Sequence, residues 1–212
     1  MNERVVGVDD NGRAAASRWA ARYSGDDRSE SVIVSRSPSG DIAGLVEGLP
    51  GIVVWVPPGW APADGPIVAA TGHDLASDAA IAPAIELARR GSGTVVLVHV
   101  WGMPALGIVD LPPDPWGVGS IPDGQSAALD ALLTRVQAAA DGVSISAVVR
   151  QGTHVARELI AASQGADAIV VGRPHPRGRG PALGAVARGL IELSPCPVVV
   201  IPHPAAMKDL RP

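Results

Sequence analysis

Two stretches of the sequence decide the fold: residues 169–202, IVVGRPHPRGRGPALGAVARGLIELSPCPVVVIP, and residues 32–57, VIVSRSPSGDIAGLVEGLPGIVVWVP. Each has an apolar, β-branched run, then a loop rich in glycine, serine and proline, then a short helical pattern and a second apolar run that ends at proline. Runs that are apolar at nearly every position are typical of parallel strands covered by helices on both faces. The two stretches therefore predict one strand–loop–helix–strand unit that occurs twice.

The repeat extends to the strand–turn–helix segments at residues 5–24 and 67–90. The N-terminal copy lacks a middle section, so we expect three strands in it and five in the C-terminal copy. Strand and helix in alternation predict an α/β fold with a doubly wound parallel sheet, in tandem with a truncated first copy. The predicted strands cover residues 5–8, 32–34, 52–56, 67–70, 95–100, 144–149, 168–171 and 198–201, and the predicted helices cover residues 13–23, 78–90, 126–140, 155–163 and 183–193.

The domain organisation follows from the same repeat. We expect a truncated half at residues 1–58, a linker at 59–65, a complete domain at 66–203 and a loose tail at 204–212. The last strand of each copy would expose unpaired backbone groups at a sheet edge, so the two are predicted to pair as an intramolecular pseudo-dimer.

Proline and glycine predict two local irregularities. Pro83 interrupts the helical pattern of residues 78–90 and should kink or shorten its first turns. Residues 102–124 are dense in proline and glycine and too long for an ordinary connection, so they predict a surface excursion or flap.

Composition excludes several classes of protein. The 212 residues carry a net charge of −4 and are 47% hydrophobic, which argues against disorder and against a basic surface for nucleic acid. The single cysteine excludes an internal disulfide and a cysteine-based zinc site. No apolar run reaches about 18 residues, and the N-terminal MNERVVGVDD lacks a signal-peptide core. We therefore expect a cytoplasmic protein with neither a nucleic acid nor a membrane as partner.

The loop at residues 172–184 has a form that suits an anion. It follows a strand and leads into a helix, where exposed backbone N–H groups and the helix dipole present partial positive charge. Arg173, Arg177, Arg179 and Arg188 add formal charge. Loops of this form are also common as purely structural connections, so the pattern leaves both interpretations open.

Residues 66–202 resemble a universal stress protein domain. The resemblance is carried by VVLVHVW at 95–101, QGTHVARELIAASQGADAIVVG at 151–172 and SPCPVVVIP at 194–202. It implies the adenine nucleotide alpha hydrolase-like fold, with a five-stranded parallel sheet and dimerisation through the last strand. In one branch of the family it also implies an adenine nucleotide, bound by an Asp after the first strand and by a loop of form G-x2-G-x9-G-(S/T).

The family's site maps onto this sequence only in part. Gly172 and Gly184 match the first and third loop glycines if one residue is deleted from the loop, and Val100 matches the position near the adenine. Gly72 stands where the family has Asp, and Ala185 stands where it has a hydroxyl residue. The candidate cofactor-binding positions implied by the resemblance are Asp9, Gly72, Val100, Gly172, Arg173, His175, Arg177, Gly178, Gly184 and Ala185.

The N-terminal copy departs from the family in a different way. It keeps the acidic residue as Asp9, but Ser35 and Pro38 occupy the first two glycine positions. In the C-terminal loop, His175 or Pro174 replaces the second glycine, depending on where the gap falls. Neither half presents a complete nucleotide site.

Other reactive side chains have ordinary structural explanations. We expect His99 to be a hydrogen-bonded histidine in the core or at a strand end. Asp74 and Asp78 are expected to cap a helix, His154 to lie on the surface, and Cys196 to be small and buried. No metal site is expected, and the common hydrolase, zinc-protease and P-loop signatures are absent from the sequence.

These observations favour a stress-response regulatory or interaction protein without catalysis and without a cofactor. The alternative is an adenine-nucleotide-binding protein, with ATP or AMP as ligand and slow ATP hydrolysis as its activity. A third hypothesis makes residues 102–124 a lid over another small ligand near Val100. The sequence leaves open both a homodimer and an unknown protein partner.

Overall fold

From the fourth strand onward, the described strands and helices alternate as the sequence predicts. The computed structural model describes residues 4–7, 10–23, 31–35, 51–72, 78–101, 121–174 and 183–204. The strands are β1 (Arg4–Gly7), β2 (Ser31–Ser35), β3 (Ile52–Trp55), β4 (Ile67–Thr71), β5 (Thr94–Trp101), β6 (Ser144–Gln151), β7 (Ala168–Gly172) and β8 (Val198–Ile201). The helices are α1 (Asp10–Tyr23), α2 (Ile81–Arg90), α3 (Ile121–Ala139), α4 (Val155–Ala162) and α5 (Ala185–Leu193).

The eight strands form one continuous mixed sheet in the order β1-β2-β3-β8-β7-β4-β5-β6. Neighbouring strands are parallel throughout, except that β3 runs antiparallel to β8 with Val54 opposite Val199. A parallel group of three strands therefore meets a parallel group of five across this one antiparallel pair. The two strands that the sequence predicts to pair are neighbours in the sheet.

The helices cover both faces of the sheet, as the continuously apolar strands indicate. Alternate residues of one strand point to opposite faces, and in β5 Val95 and Leu97 belong to one core while Val98 belongs to the other. Helices α1, α2 and α3 pack in the first core, and α4 and α5 pack in the second. Both cores contain residues from β3 as well as from the strands of the five-stranded group.

Four of the five helices begin at a different residue from the predicted one: α1 begins at Asp10 and α5 at Ala185, and α2 and α3 each have a proline in the first turn. Helix α2 begins at Ile81 with Ala80 as its N-cap, so Pro83 falls in the first turn, where no backbone N–H is needed. The predicted shortening is observed. Helix α3 begins at Ile121, inside the predicted excursion, with Pro122 in its first turn. The rest of that excursion at 102–120 and the tail at 205–212 lie outside the described residues.

The segment between the two groups of strands is fixed by a buried polar cluster. Asp167, before β7, is fully buried and accepts hydrogen bonds from the Tyr23 hydroxyl at 2.6 Å and the Ala63 N–H at 2.6 Å. The Arg22 guanidinium lies 3.2 Å from the same carboxylate and also pairs with Asp64. The cluster therefore ties α1 and the predicted linker to the start of β7.

Aromatic rings reinforce the same junction. The ring of Trp19 lies 4.4 Å from that of Tyr23 and 5.5 Å from that of Trp60, between centroids. Arg18 Nε donates to the Trp60 carbonyl at 2.8 Å. At Gly65, a Cβ would collide with the Gly165 carbonyl oxygen, so only glycine fits this close backbone approach. Contacts at Trp60, Ala63 and Gly65 therefore hold the predicted linker in place, although residues 59 and 61–64 are exposed.

Candidate ligand-binding site

A cavity of about 260 Å³ opens at the carboxyl ends of β4, β5 and β7. Strand β4 lies between β5 and β7 in the sheet. The chain goes from β4 to β5 on one side, and it reaches β7 on the other side only after β6. Such a divergence of crossovers leaves a crevice beside the strand ends, which is where open α/β sheets bind ligands. The cavity lies on the face covered by α4 and α5.

Five of the residues implied by the resemblance line this cavity together. They are Gly72, Val100, Gly172, Gly184 and Ala185. Arg173 is buried, and its backbone N–H donates to the Ile201 carbonyl at 2.7 Å, but it is not among the lining residues. The remaining predicted site residues, Asp9, His175, Arg177 and Gly178, lie outside the described residues.

The loop end at Gly184 has a backbone conformation that requires glycine. Its φ of +77° is in the left-handed region, and an added Cβ would approach Pro174 Cγ to 2.8 Å. Gly184 is the N-cap of α5, so the free N–H groups of the first helical turn lie at the cavity. The first residue of the helix, Ala185, supplies only a methyl group where a hydroxyl would contact phosphate.

The described lining of the cavity is mostly apolar. Val155 and Leu159, four residues apart on α4, line the cavity together with Leu183 and Val186. The hydroxyl of Thr71 is turned inward and donates to the Val98 carbonyl at 3.3 Å. Among the described lining residues none is charged and none pairs a nucleophile with a base. This arrangement can hold an apolar or aromatic group but supplies no side-chain charge for a triphosphate.

The apolar walls from α4 and α5 were not predicted as site residues. The spacing of Val155 and Leu159, and of Leu183, Val186 and Ala187, does predict apolar helix faces. Periodicity alone cannot show that part of such a face lines a cavity and not the closed core, because both surroundings select the same side chains.

Four further predictions concern side chains away from this cavity. His99 is buried with Nδ1 3.2 Å from the Thr71 carbonyl oxygen, which confirms a hydrogen-bonded histidine in the core. Cys196 is buried, and burial raises the pKa of its thiol. His154 is exposed at the start of α4. The prediction that Asp78 caps α2 is wrong, because Ala80 is the N-cap and makes no side-chain cap bond.

The described residues also limit two other kinds of site. Within them, no group of three or more histidine, cysteine, aspartate or glutamate side chains could hold a metal ion. In the same part of the chain, each helix is too short or too polar to cross a membrane.

The fold and the cavity together define an architecture: a doubly wound α/β protein with a cavity at the carboxyl edge of a parallel sheet. A comparison with protein-family models matches residues 65–202 to the Universal stress protein family. The chain therefore belongs to the universal stress protein family. No curated protein matches the sequence.

Solved structures of universal stress proteins share the fold. A putative universal stress protein from Pseudomonas aeruginosa UCBPP-PA14 is 15% identical with a TM-score of 0.61 and covers 85% of this chain and 66% of its own. One from Archaeoglobus fulgidus DSM 4304 is 16% identical with a TM-score of 0.56 and covers 82% of this chain and 60% of its own. A protein of the family from Burkholderia pseudomallei is 26% identical with a TM-score of 0.52, and the match covers 68% of this chain and 99% of the other chain. The chain thus spans 60% of the length of the protein from Archaeoglobus fulgidus DSM 4304, which is less than two thirds.

Proposed function

We propose that this universal stress protein is a stress-response regulatory or interaction protein that works by binding and not by catalysis. The carrying observation is the apolar cavity at the ends of β4 and β7, in which Gly72 and Ala185 replace the residues that the family uses to hold a nucleotide. Without the carboxylate for the nucleoside and the hydroxyl for the phosphate, the nucleotide loop is degenerate. No cofactor is part of this proposal.

We also propose that the N-terminal group of strands is a truncated second copy of the domain, which makes the chain an intramolecular pseudo-dimer. The antiparallel pairing of β3 with β8 supports this, because it covers the strand through which the family dimerises. The longer structures from Pseudomonas aeruginosa and Archaeoglobus fulgidus align over 85% and 82% of this chain, more than the family segment alone. Any homodimer would then use a surface other than β8.

Adenine-nucleotide binding is the second candidate function. Gly172 and Gly184 line the cavity in the positions of the family's loop glycines, and Ala185, the first residue of α5, lines it too. Backbone donors at the start of a helix bind phosphate without any side chain. ATP or AMP would be the ligand, and slow ATP hydrolysis the activity.

Native mass spectrometry of the purified protein, followed by calorimetry with ATP and AMP, separates the two candidates. The proposal predicts no carried-over nucleotide and a Kd weaker than about 1 mM for both nucleotides. Micromolar binding that Ala185→Asp abolishes would favour the second candidate. Ala161→Asp is the matched control, because Ala161 is exposed on α4 and does not line the cavity.

A gain-of-function variant tests whether the missing hydroxyl weakens nucleotide binding. Ala185→Ser restores the hydroxyl of the family loop on an exposed position, so the fold should be undisturbed. If the missing hydroxyl contributes to the degeneracy, this variant should bind ATP about tenfold more tightly than the parent protein.

A cytoplasmic location also belongs to the proposal, and cell fractionation tests it.

A further inference from the structure

A second cavity, of about 240 Å³, lies on the opposite face of the sheet. Helix α2 packs on β4 and β5, whereas α3 packs chiefly on β6, and the gap between the helices stays open over the ends of β4 and β5. The cavity shares Thr71 and Gly72 with the site described above, but α3, Asp78 and His99 form its other walls. It is a separate space that the proposed function does not use.

The interior of this second cavity has an apolar wall and a polar floor. Leu129 is buried and Leu132 is partly buried on α3, and both present aliphatic surface. The floor consists of His99, only 6% exposed, and Thr71, whose carbonyl oxygen lies 3.2 Å from His99 Nδ1. A short aliphatic group fits such a wall, because its burial removes apolar surface from water.

The remaining polar lining consists of two side chains of opposite charge. Arg135 Nη2 lies 3.9 Å from Asp78 Oδ2, which is beyond hydrogen-bond distance, and both side chains are substantially exposed. In the part of the chain that the structure describes, this loose ion pair is the one polar contact that Arg135 makes. Both groups are therefore able to exchange their mutual contact for closer contacts with a ligand.

We propose that this second cavity binds a free α-amino acid with an aliphatic side chain. Such a molecule carries a carboxylate and an ammonium group on one carbon, which matches the adjacent guanidinium and carboxylate. The carboxylate pairs with Arg135, whose guanidinium can donate two parallel hydrogen bonds, and the ammonium group pairs with Asp78. The side chain packs against Leu129 and Leu132.

Calorimetry of the full-length chain with three related ligands tests which groups are recognised. L-leucine has all three features, 4-methylpentanoate lacks the ammonium group, and L-leucine methyl ester lacks the free carboxylate. We expect L-leucine to bind with a Kd of about 0.1–1 mM, as suits a ligand of this size, and each analogue to bind about tenfold more weakly. No saturable heat with L-leucine up to about 10 mM would overturn the proposal.

Two pairs of variants locate the binding. Ala128→Trp fills the cavity from an exposed position on α3, and Ala127→Trp is its control, because Ala127 is exposed but does not line the cavity. Arg135→Gln removes the guanidinium, and Arg89→Gln is its control on the outer surface of α2. Ala128→Trp and Arg135→Gln should lose L-leucine binding while both controls keep it, with all four unfolding at a similar temperature. Binding that persists in Ala128→Trp would contradict the assignment, whatever the nucleotide titrations show.

Discussion

At the level of single residues, Asp167 is a fully buried carboxylate. Burying a carboxylate is costly unless donors replace its water. Its two oxygens receive the Tyr23 hydroxyl, the Ala63 N–H and the Arg22 guanidinium, which come from α1 and from the segment between β3 and β4. Satisfying this one side chain therefore requires three segments to be in place at once.

Tyr23→Phe should measure how much the cluster contributes. The substitution keeps the ring beside Trp19 but removes a donor from a buried carboxylate, which is expected to cost about 1–3 kcal/mol of unfolding free energy. Urea denaturation gives the value. Arg13→Gln, which breaks an exposed ion pair on the same helix, should change stability by less than about 0.5 kcal/mol. A Tyr23→Phe protein as stable as the parent would show that the hydrogen bond from Tyr23 to Asp167 does not stabilise the fold.

The same residue predicts a loss of stability at alkaline pH. Burial, and then the hydrogen bond to Asp167, raises the pKa of Tyr23 above its ordinary value of 10.0, and burial raises the pKa of Cys196 above 9.0. Both groups are held protonated by the fold, so their contribution is complete below the ordinary pKa values and is lost as the pH rises through the raised ones. Denaturation between about pH 8 and pH 11 should show this decline, which should be shallower in Tyr23→Phe and in Cys196→Ala. Curves that stay parallel to the parent's would contradict the assignment.

At the level of elements, the contact between α4 and α5 depends on one glycine. A Cβ on Gly189 would approach the Cβ of Ala156 to 2.9 Å, so the two helices are packed as closely as their small residues permit. This packing positions Val155 and Val186, which line the candidate ligand-binding cavity. The geometry of the cavity therefore depends on the contact between Gly189 and Ala156, although neither residue lines the cavity.

Gly189→Leu should separate these helices. Forcing a large side chain into a filled contact is expected to cost about 1–3 kcal/mol, which thermal or urea unfolding measures. Glu192→Leu, at an exposed position on the same helix, serves as the control and should be nearly neutral. Restoring space with Ala156→Gly should recover part of the loss, and an additive double mutant would show that the two residues do not interact.

The existence of these elements could be predicted from the sequence, because their signals are local. Apolar β-branched runs give the strands, and the i, i+3, i+4 spacing from Leu183 to Ile191 gives α5. The starts of α2 and α3 were harder, since prolines that fit a first turn also resemble helix breakers. The role of Asp167 was missed altogether, because its partners lie more than a hundred residues away in the sequence.

The candidate site was predicted to the extent that glycine marks it. Gly72, Gly172 and Gly184 were placed by the resemblance to the family, and all three line the cavity. Of these, Gly184 has a positive φ, which restricts the position to glycine. The buried position of Arg173 could not be predicted from its charge, which suggested a ligand contact. Side-chain direction after a strand end depends on packing that the sequence does not display.

At the level of the whole molecule, the N-terminal group of strands completes the C-terminal one. Strand β3 covers the outer edge of β8, and Val53 and Trp55 enter the same core as Leu190 and Ile191 of α5. On the other face, Trp19 and Tyr23 enter the core that contains Ile85 and Leu97. Because both cores run across the antiparallel pair, we expect the chain to unfold as one cooperative unit.

The isolated fragment of residues 1–62 should therefore be unfolded. About 60 residues bury too little surface for comfortable stability, and this fragment would also lose β8 as the partner of β3 and Asp167 as the partner of Tyr23. Circular dichroism of the fragment should show no cooperative thermal transition, whereas the full chain should show a single one. A fragment that melts cooperatively would mean that the N-terminal strands form an independent domain, and two separate transitions in the full chain would have the same meaning. Either result would remove the physical reason for regarding the β3–β8 pair as an obligatory interface, because an edge strand that is stable without its neighbour does not need that neighbour to fold.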